Sequence, residues 1–448
     1  MACSGWRKPE GAAVPDLRTR LISVLRKVPR GRVARDTVLV LAWQLCRMAA
    51  LAAWVVLAAR SLGVEGYGVF AGVAGLATAL AGFSGLGMGY LTYREVALRP
   101  ECFNGYWPKT MVSYLASGAV LGVCLAFVAF AMFPEVPAAS IWLIALSEVL
   151  AYPFVSASAY ALAAHERLGW SAALPALAGA VRLLALLVFM ASGAGGGVGG
   201  YLWFHLGSSM IAATVSLMAV RLLLKPDSSL AAIPSWRDLR ESLPFSAVWF
   251  TGIAMTSLDK ALVLRLAGPE VSGLYAAAHR LASLVALPMD SLVMAMTPRM
   301  FRRGGLGGSD NGLMRHSVAA ILAFGLVAAL LVFVIAPFLP WLLGSDYRAA
   351  ADAVHGIALM IPFYGLRQLG GHVLVTYDRR MTRVAIDAGA LVLMALTAVW
   401  WVPSHGVAGA VAMIVCAEAF LATLTWCLAV PTIRRAVKRM AVNQRGLR

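Results

Sequence analysis

Four arginines stand inside long apolar runs of this sequence: Arg47, Arg182, Arg280 and Arg367. A guanidinium stays charged and binds phosphate oxygens in pairs, so four of them facing one polar cavity would suit a diphosphate. The same residue types allow another arrangement, in which each arginine pairs with an acid on a neighbouring helix or reaches a headgroup from a span end. Acids for such pairs are present at Glu148, Asp259, Asp290, Asp387 and Glu418, and Asp259 is followed directly by Lys260. Glu148 and Glu418 are candidates to bind a coupling proton or sodium ion, with hydrogen bonding to a neighbouring helix as the alternative role. An imidazole ordinarily titrates near neutrality, so His205, His279 and His372 extend the set of proton-coupling candidates. No Walker loop, HExxH or GxSxG motif is present, and no long loop on the outer side, so the reading is of a protein that is not an enzyme and needs no cofactor.

These charges are held by apolar segments. The chain has 448 residues, 60% of them hydrophobic and 13% charged, with a mean hydropathy of +0.78, outside the range of water-soluble globular proteins. Apolar stretches of 20 or more residues must satisfy their own peptide groups in lipid, which predicts helices. The absence of alternating ten-residue segments excludes a barrel. Twelve runs follow, at approximately 37–59, 67–91, 110–133, 138–163, 170–191, 201–224, 243–266, 271–297, 317–339, 349–376, 384–402 and 406–430. The fold class is an all-α polytopic membrane protein. Its expected parts are a basic tail (1–36), a first lobe (37–224), a linker (225–242), a second lobe (243–430) and a second basic tail (431–448). Within the first tail Leu17, Leu21, Val24, Leu25 and Val28 recur at helical spacing, the pattern of an interfacial helix. Pro153, Pro288 and Pro362 lie inside spans as candidate kinks, and Trp107, Trp170, Tyr201, Trp249, Trp341 and Trp401 read as interfacial anchors. Six cysteines form no CxxC pair, so no metal site or disulfide is expected.

Basic residues set the orientation. Thirty Lys and Arg fall in the two tails and alternate connections, against Arg60, Arg265 and Arg348 on the other side. The basic side is therefore read as cytoplasmic, with both termini there and an even number of spans. The net charge of +17 is explained by topology and anionic lipid, and nucleic acid is not an expected partner.

The halves repeat. A shift of 205 residues places Arg60 on Arg265, Gly63 on Gly268, Glu65 on Glu270, Gly68 on Gly273 and Arg94 on Arg299. A shift of 209 places Pro153-Phe154 on Pro362-Phe363 and Gly197-Val198 on Gly406-Val407. Six spans per half give both halves one orientation, hence two pseudo-symmetric six-helix lobes around a central cavity.

The stretch Leu62-Gly63-Val64-Glu65-Gly66-Tyr67-Gly68-Val69-Phe70, followed by Gly85-Leu86-Gly87 and Arg94-Glu95, resembles the start of a known family. Its counterpart runs from Leu258-Asp259-Lys260 through Gly268-Pro269-Glu270-Val271-Ser272-Gly273-Leu274-Tyr275, with Ala278 and Arg280. The family is the polysaccharide transporter (Wzx-type) oligosaccharide flippases of the multidrug/oligosaccharidyl-lipid/polysaccharide exporter superfamily. The resemblance implies a flippase of the bacterial cytoplasmic (inner) membrane that moves a polyprenyl-diphosphate-linked oligosaccharide from the inner to the outer leaflet by alternating access. Its partners would be that substrate, membrane lipids, and glycosyltransferases or a polymerase of polysaccharide assembly. The family commonly carries a charged pair where Asp259 and Lys260 stand, which implies a gating or interlobe role for them. A drug/cation antiporter of the same superfamily and a membrane-embedded glycan polymerase or ligase are the alternatives.

Overall fold

The computed structural model describes residues 32–193, 195–227, 232–302, 311–377 and 379–445, which hold helices and no strand. Seven helices are long and apolar enough to cross a bilayer. Two bent pairs, Trp236–Ala254 with Leu258–Met289 and Ser345–Ala358 with Met360–Thr376, raise the number to nine. Three of these nine elements are each two crossings joined at one non-helical glycine: Gly63 (φ 70°), Gly268 (φ 85°) and Gly406 (φ 53°). The count therefore comes to twelve, as the apolar runs require.

Each hinge folds the chain back on itself. Trp54 and Phe70 would be ~24 Å apart on a straight helix rising 1.5 Å per residue, yet their ring centroids are 5.5 Å apart. Across the second hinge the Tyr275 hydroxyl donates to Asp259 at 2.6 Å. Across the third, a Cβ added to Gly409 would collide with the Trp401 carbonyl oxygen. Glycine adopts positive φ without the Cβ clash that other residues suffer, so one residue replaces a loop. Spans one and two thus occupy Arg35–Leu98, three Pro100–Met132, four Ala138–Ala164, five Leu168–Ser192 and six Gly197–Leu224. Spans seven and eight follow from Trp236 to Arg302, nine lies in Met314–Leu343, ten in 345–376, and eleven and twelve in Met381–Ile433. The interfacial helix expected around Leu17–Val28 lies outside the described residues, as does the Asp290 side chain.

The hairpin of spans one and two crosses that of seven and eight at backbone distance. A Cβ on Gly68 would fall on the Pro269 carbonyl oxygen, and one on Gly273 on the Val64 carbonyl oxygen. The 205-residue shift turns the first contact into the second with partners exchanged, so the sequence repeat is a pseudo-twofold axis between the hairpins. Ser272 donates to the Gly68 carbonyl at 3.2 Å, and the Tyr347 hydroxyl reaches the carbonyls of Ala59 and Gly63, each at 3.2 Å. These contacts join the lobes at the end that carries few charges.

Five spans are irregular: span two leaves the helical region at Gly85 (φ 73°), Leu86 (φ 48°) and Gly87 (φ 79°), span nine has a 3-10 turn over Ala336–Phe338, and three more are broken or bent. Span four has a π-helical turn over Ala145–Ala151, span seven is broken at 255–257, and span ten bends by 44° at Leu359. Pro153 and Pro362 stand in the first turn after two of these breaks, where a missing N–H costs little. The helix runs through Pro288 without a non-helical residue there. Of the aromatic residues read as anchors, Trp170 and Trp341 are exposed and Trp401 is half-buried. Trp107 and Tyr201 correct the reading, because both are buried: Trp107 stacks on Phe103 at 5.7 Å and Tyr201 accepts the Trp54 indole N–H at 2.8 Å. Trp249 also departs from it and faces the cavity between the lobes.

Gly68→Ala is expected to destabilise the folded protein by about 1–3 kcal/mol through overpacking against the Pro269 carbonyl. Gly122→Ala, where an added Cβ meets nothing within 4 Å, serves as the control. Thermal unfolding in detergent reads the difference, and equal stability of the two variants contradicts the backbone-distance crossing.

Candidate functional site

A cavity of about 560 Å³ lies between the lobes, walled by side chains from spans one, two, four, five, seven, eight, ten and twelve. Six charged residues reach it: Arg47, Glu148, Arg182, Lys260, Arg280 and Glu418. Which of these are matched by a partner decides what the cavity can bind.

Glu148 sits in the π-turn of span four. Arg182 on span five donates to its Oε1 at 2.8 Å and to the Ser209 hydroxyl at 3.4 Å, with its guanidinium 5.1 Å from the centre of the Tyr152 ring. His205 Nε2 stands 2.8 Å from the same Oε1, and its Nδ1 is 3.3 Å from the Tyr201 hydroxyl. The edge-on ring of Phe70 closes over the imidazole at 5.1 Å. One carboxylate is thereby satisfied by two neighbouring helices, and Arg182 is matched rather than free.

Lys260 follows the break in span seven. Its ammonium donates to the Thr256 carbonyl at 2.7 Å, within the break, and to both oxygens of Asp259 at 2.9 Å. A broken helix leaves carbonyls without an N–H partner, and a cation is well suited to fill that place. Asp259 also accepts from Tyr275 and faces His279 Nε2 at 3.7 Å. Both members of the pair are buried.

Arg367 on span ten meets Glu418 on span twelve through two hydrogen bonds, 2.8 Å and 3.2 Å, with Tyr364 under its guanidinium at 5.0 Å. It is buried and forms no part of the cavity wall, whereas Glu418 does. Asp387 lies 3.5 Å from the Thr251 hydroxyl and 3.8 Å from Arg383. Arg47 and Arg280 remain. Both are exposed, both line the cavity, and among the described residues neither has an acid within ion-pair distance.

At the basic end a second set of charges ties the first lobe to the start of span seven. Lys109 donates to Asp238 at 2.8 Å, and Arg94 bridges Glu95 at 2.7 Å and Glu241 at 3.2 Å. Asp238 also forms the capping box of span seven with Ser235. Arg99 adds a second bond to Glu95 at 2.8 Å. Sequence reasoning missed this link, although Ser235-x-x-Asp238 before an apolar run is a helix-start signature that marks Asp238. It also missed Tyr152, Tyr275 and Thr256, which lie near a charge only after the chain folds.

The profile of the polysaccharide biosynthesis protein family matches residues 33–303, and the chain belongs to that family. No curated protein sequence matches it. Among solved structures it is similar to an inward-facing multidrug resistance MATE family transporter of the MOP superfamily. That likeness has 15% identity and a TM-score of 0.67 over 87% of this chain and 96% of the other. It is similar to the lipid II flippase MurJ in an inward closed conformation, with 11% identity and a TM-score of 0.67 over 91% of each chain. A MATE structure in a bent conformation aligns at 14% identity and a TM-score of 0.59, over 91% of this chain and 97% of that one. At these identities the likeness establishes a shared fold, the two-lobe helical fold of these transporters.

Arg367→Ala leaves the Glu418 carboxylate buried without its partner and is expected to cost about 3–5 kcal/mol. The apolar pair Arg367→Met with Glu418→Leu should recover most of it, as read by thermal unfolding of the purified protein.

Proposed function

We propose that this chain translocates a polyprenyl-diphosphate-linked oligosaccharide from the inner to the outer leaflet of a bacterial cytoplasmic membrane, for assembly of a surface polysaccharide. One observation carries the reading: in the cavity between the lobes Glu148, Lys260 and Glu418 are matched to Arg182, Asp259 and Arg367, and among the described residues no acid matches the guanidinium groups of Arg47 and Arg280. Two guanidiniums from opposite lobes lining one cavity offer a site for an anion with several oxygens, and a diphosphate has that chemistry. Family membership supports a polysaccharide-linked substrate, and the lipid II flippase among the similar structures supports a lipid-linked one.

In the proposed cycle the diphosphate bridges Arg47 on span one and Arg280 on span eight, the glycan occupies the aqueous cavity, and the lipid tail stays in the bilayer. The lobes, taken as 37–224 and 243–430 about a linker at 225–242, rock against each other around the hairpin crossing. Asp259 and Lys260 brace the broken segment of span seven during this motion. Glu148, within hydrogen-bond reach of His205, is the candidate site for a coupling proton, and Glu418 is the second. A drug/cation antiporter shares the fold but calls for an unmatched acid in the cavity, and Glu148 and Glu418 both carry basic partners.

In a strain lacking the native gene, Arg47→Ala and Arg280→Ala are expected to abolish surface polymer and leave lipid-linked intermediates on the inner leaflet, with protein level and membrane insertion unchanged. Full activity of both variants overturns the reading. Sensitivity of the deletion strain to cationic dyes with normal surface polymer replaces it with the antiporter.

A further inference from the structure

A second chamber of about 250 Å³ opens off the central cavity, and Tyr152, Ser156, Trp249 and Ile253 belong to both walls. It extends toward the basic end of the bundle and is lined by Tyr90 of span two, Tyr114 of span three and Tyr160 of span four, with Ser246 of span seven opposite. The rings are set at fixed angles. Tyr90 lies edge-on to Tyr160 at 6.2 Å and against Phe245 at 4.6 Å. Tyr114 fits only because Gly85 and Gly89 have no side chain, since a Cβ on either would strike its ring or its hydroxyl.

Some polar groups of this wall are bonded within the protein, Ser84 to the Val149 carbonyl and Thr78 to the Ala74 carbonyl, but others are not. Among the described residues the hydroxyls of Tyr90, Tyr114, Tyr160 and Ser156 make no hydrogen bond with the protein, and Ser246, 1% exposed, has a buried hydroxyl without a partner. An unpartnered buried hydroxyl is costly, so Ser246 at the wall of a cavity, beside tyrosine hydroxyls that no protein group engages, marks a place where a ligand supplies the missing bond. The one charge on the wall is Glu148, already bonded to Arg182 and His205. A lipid tail would leave the hydroxyls unsatisfied, and a cation would call for a free acid. A pyranose offers what the chamber lacks, with a flat C–H face for the aromatic rings and a rim of hydroxyls that both donate and accept.

We infer that this chamber is a monosaccharide subsite for an uncharged sugar. The rings of Tyr90, Tyr160 and Trp249 cover the sugar's C–H face, and the hydroxyls of Tyr114 and Ser246 bond its rim. The inference rests on the lipid-linked glycan reading above and adds where the sugar next to the diphosphate lies. Trp249 and Tyr152, on the shared wall, mark the passage from the diphosphate site to the sugar site.

The full-length protein in nanodiscs is titrated with undecaprenyl diphosphate and with the lipid-linked oligosaccharide purified from the native membrane. The wild type should prefer the glycosylated lipid by about tenfold or more, the discrimination that unpaired site hydroxyls impose on a ligand lacking their partners. Tyr160→Leu, Tyr114→Phe and Ser246→Ala should each reduce that preference, with the loss confined to the glycosylated probe, whereas Arg280→Ala weakens both. Tyr114→Phe keeps every ring contact and guards against a loss that reflects misfolding. An unchanged preference in all three variants, or a wild type that binds both lipids equally, overturns the subsite and leaves the flippase reading standing. A wild type that binds neither lipid overturns the flippase reading and the subsite with it.

Discussion

Backbone meets backbone where the two hairpins cross, and the rest of the architecture is arranged around that contact. Gly68, Gly72 and Gly75 form a stripe along span two, facing the Pro269 carbonyl, the Leu264 side chain and the Ser257 carbonyl in turn. Small residues permit this approach in a membrane, where association depends on close packing rather than on hydrophobic exclusion. One turn farther on, Thr78 interrupts the stripe and lines the central cavity, and the approach resumes at Gly82 against the Phe250 backbone and at Gly87 against the Ser242 carbonyl. The lobes touch where the glycines are, and the cavity opens on this face where a side chain interrupts them.

The cavity also depends on irregular helices. Glu148 lies in a π-turn and Lys260 just past a broken turn, and each supplies or fills hydrogen bonds that a regular helix would have closed. Such backbone survives at membrane depth only where protein or a polar cavity surrounds it. Arg182 and Arg367 follow a common pattern, with a glutamate at 2.8 Å and a tyrosine ring at 5.1 and 5.0 Å. Arg47 and Arg280 lack that pattern. A charge within a span that no neighbour matches faces a water-filled cavity and marks a substrate path, which is the physical reason to look for its partner in a ligand.

Pseudo-symmetry governs the backbone and not the chemistry. The 205-residue shift carries Trp54 onto Asp259 and Phe70 onto Tyr275. In the first lobe that position begins an aromatic cluster that closes over His205, and in the second it begins a buried ion pair with Lys260. The same scaffold thus carries an aromatic cluster in one lobe and an ion pair at the matching position in the other.

Composition and span length by themselves determined the helical membrane class, the number of crossings and the two-fold repeat, because a bilayer leaves no other way to satisfy twenty apolar residues in a row. They also isolated the charges that matter: of 38 Lys and Arg, thirty lie in tails and connections on one side and three on the other, leaving Arg47, Arg182, Lys260, Arg280 and Arg367 within spans. Only the tertiary structure decided which of these five are matched. Arg182 finds Glu148 across 34 residues, Arg367 finds Glu418 across 51, and Lys109 finds Asp238 across 129. The tyrosine chamber is equally invisible in sequence, since Tyr90, Tyr114 and Tyr160 come from three spans with no shared motif. Span length is a local property that the solvent reads directly, whereas pairing depends on helix rotation and depth, and those are set by how the glycine-lined hairpins pack.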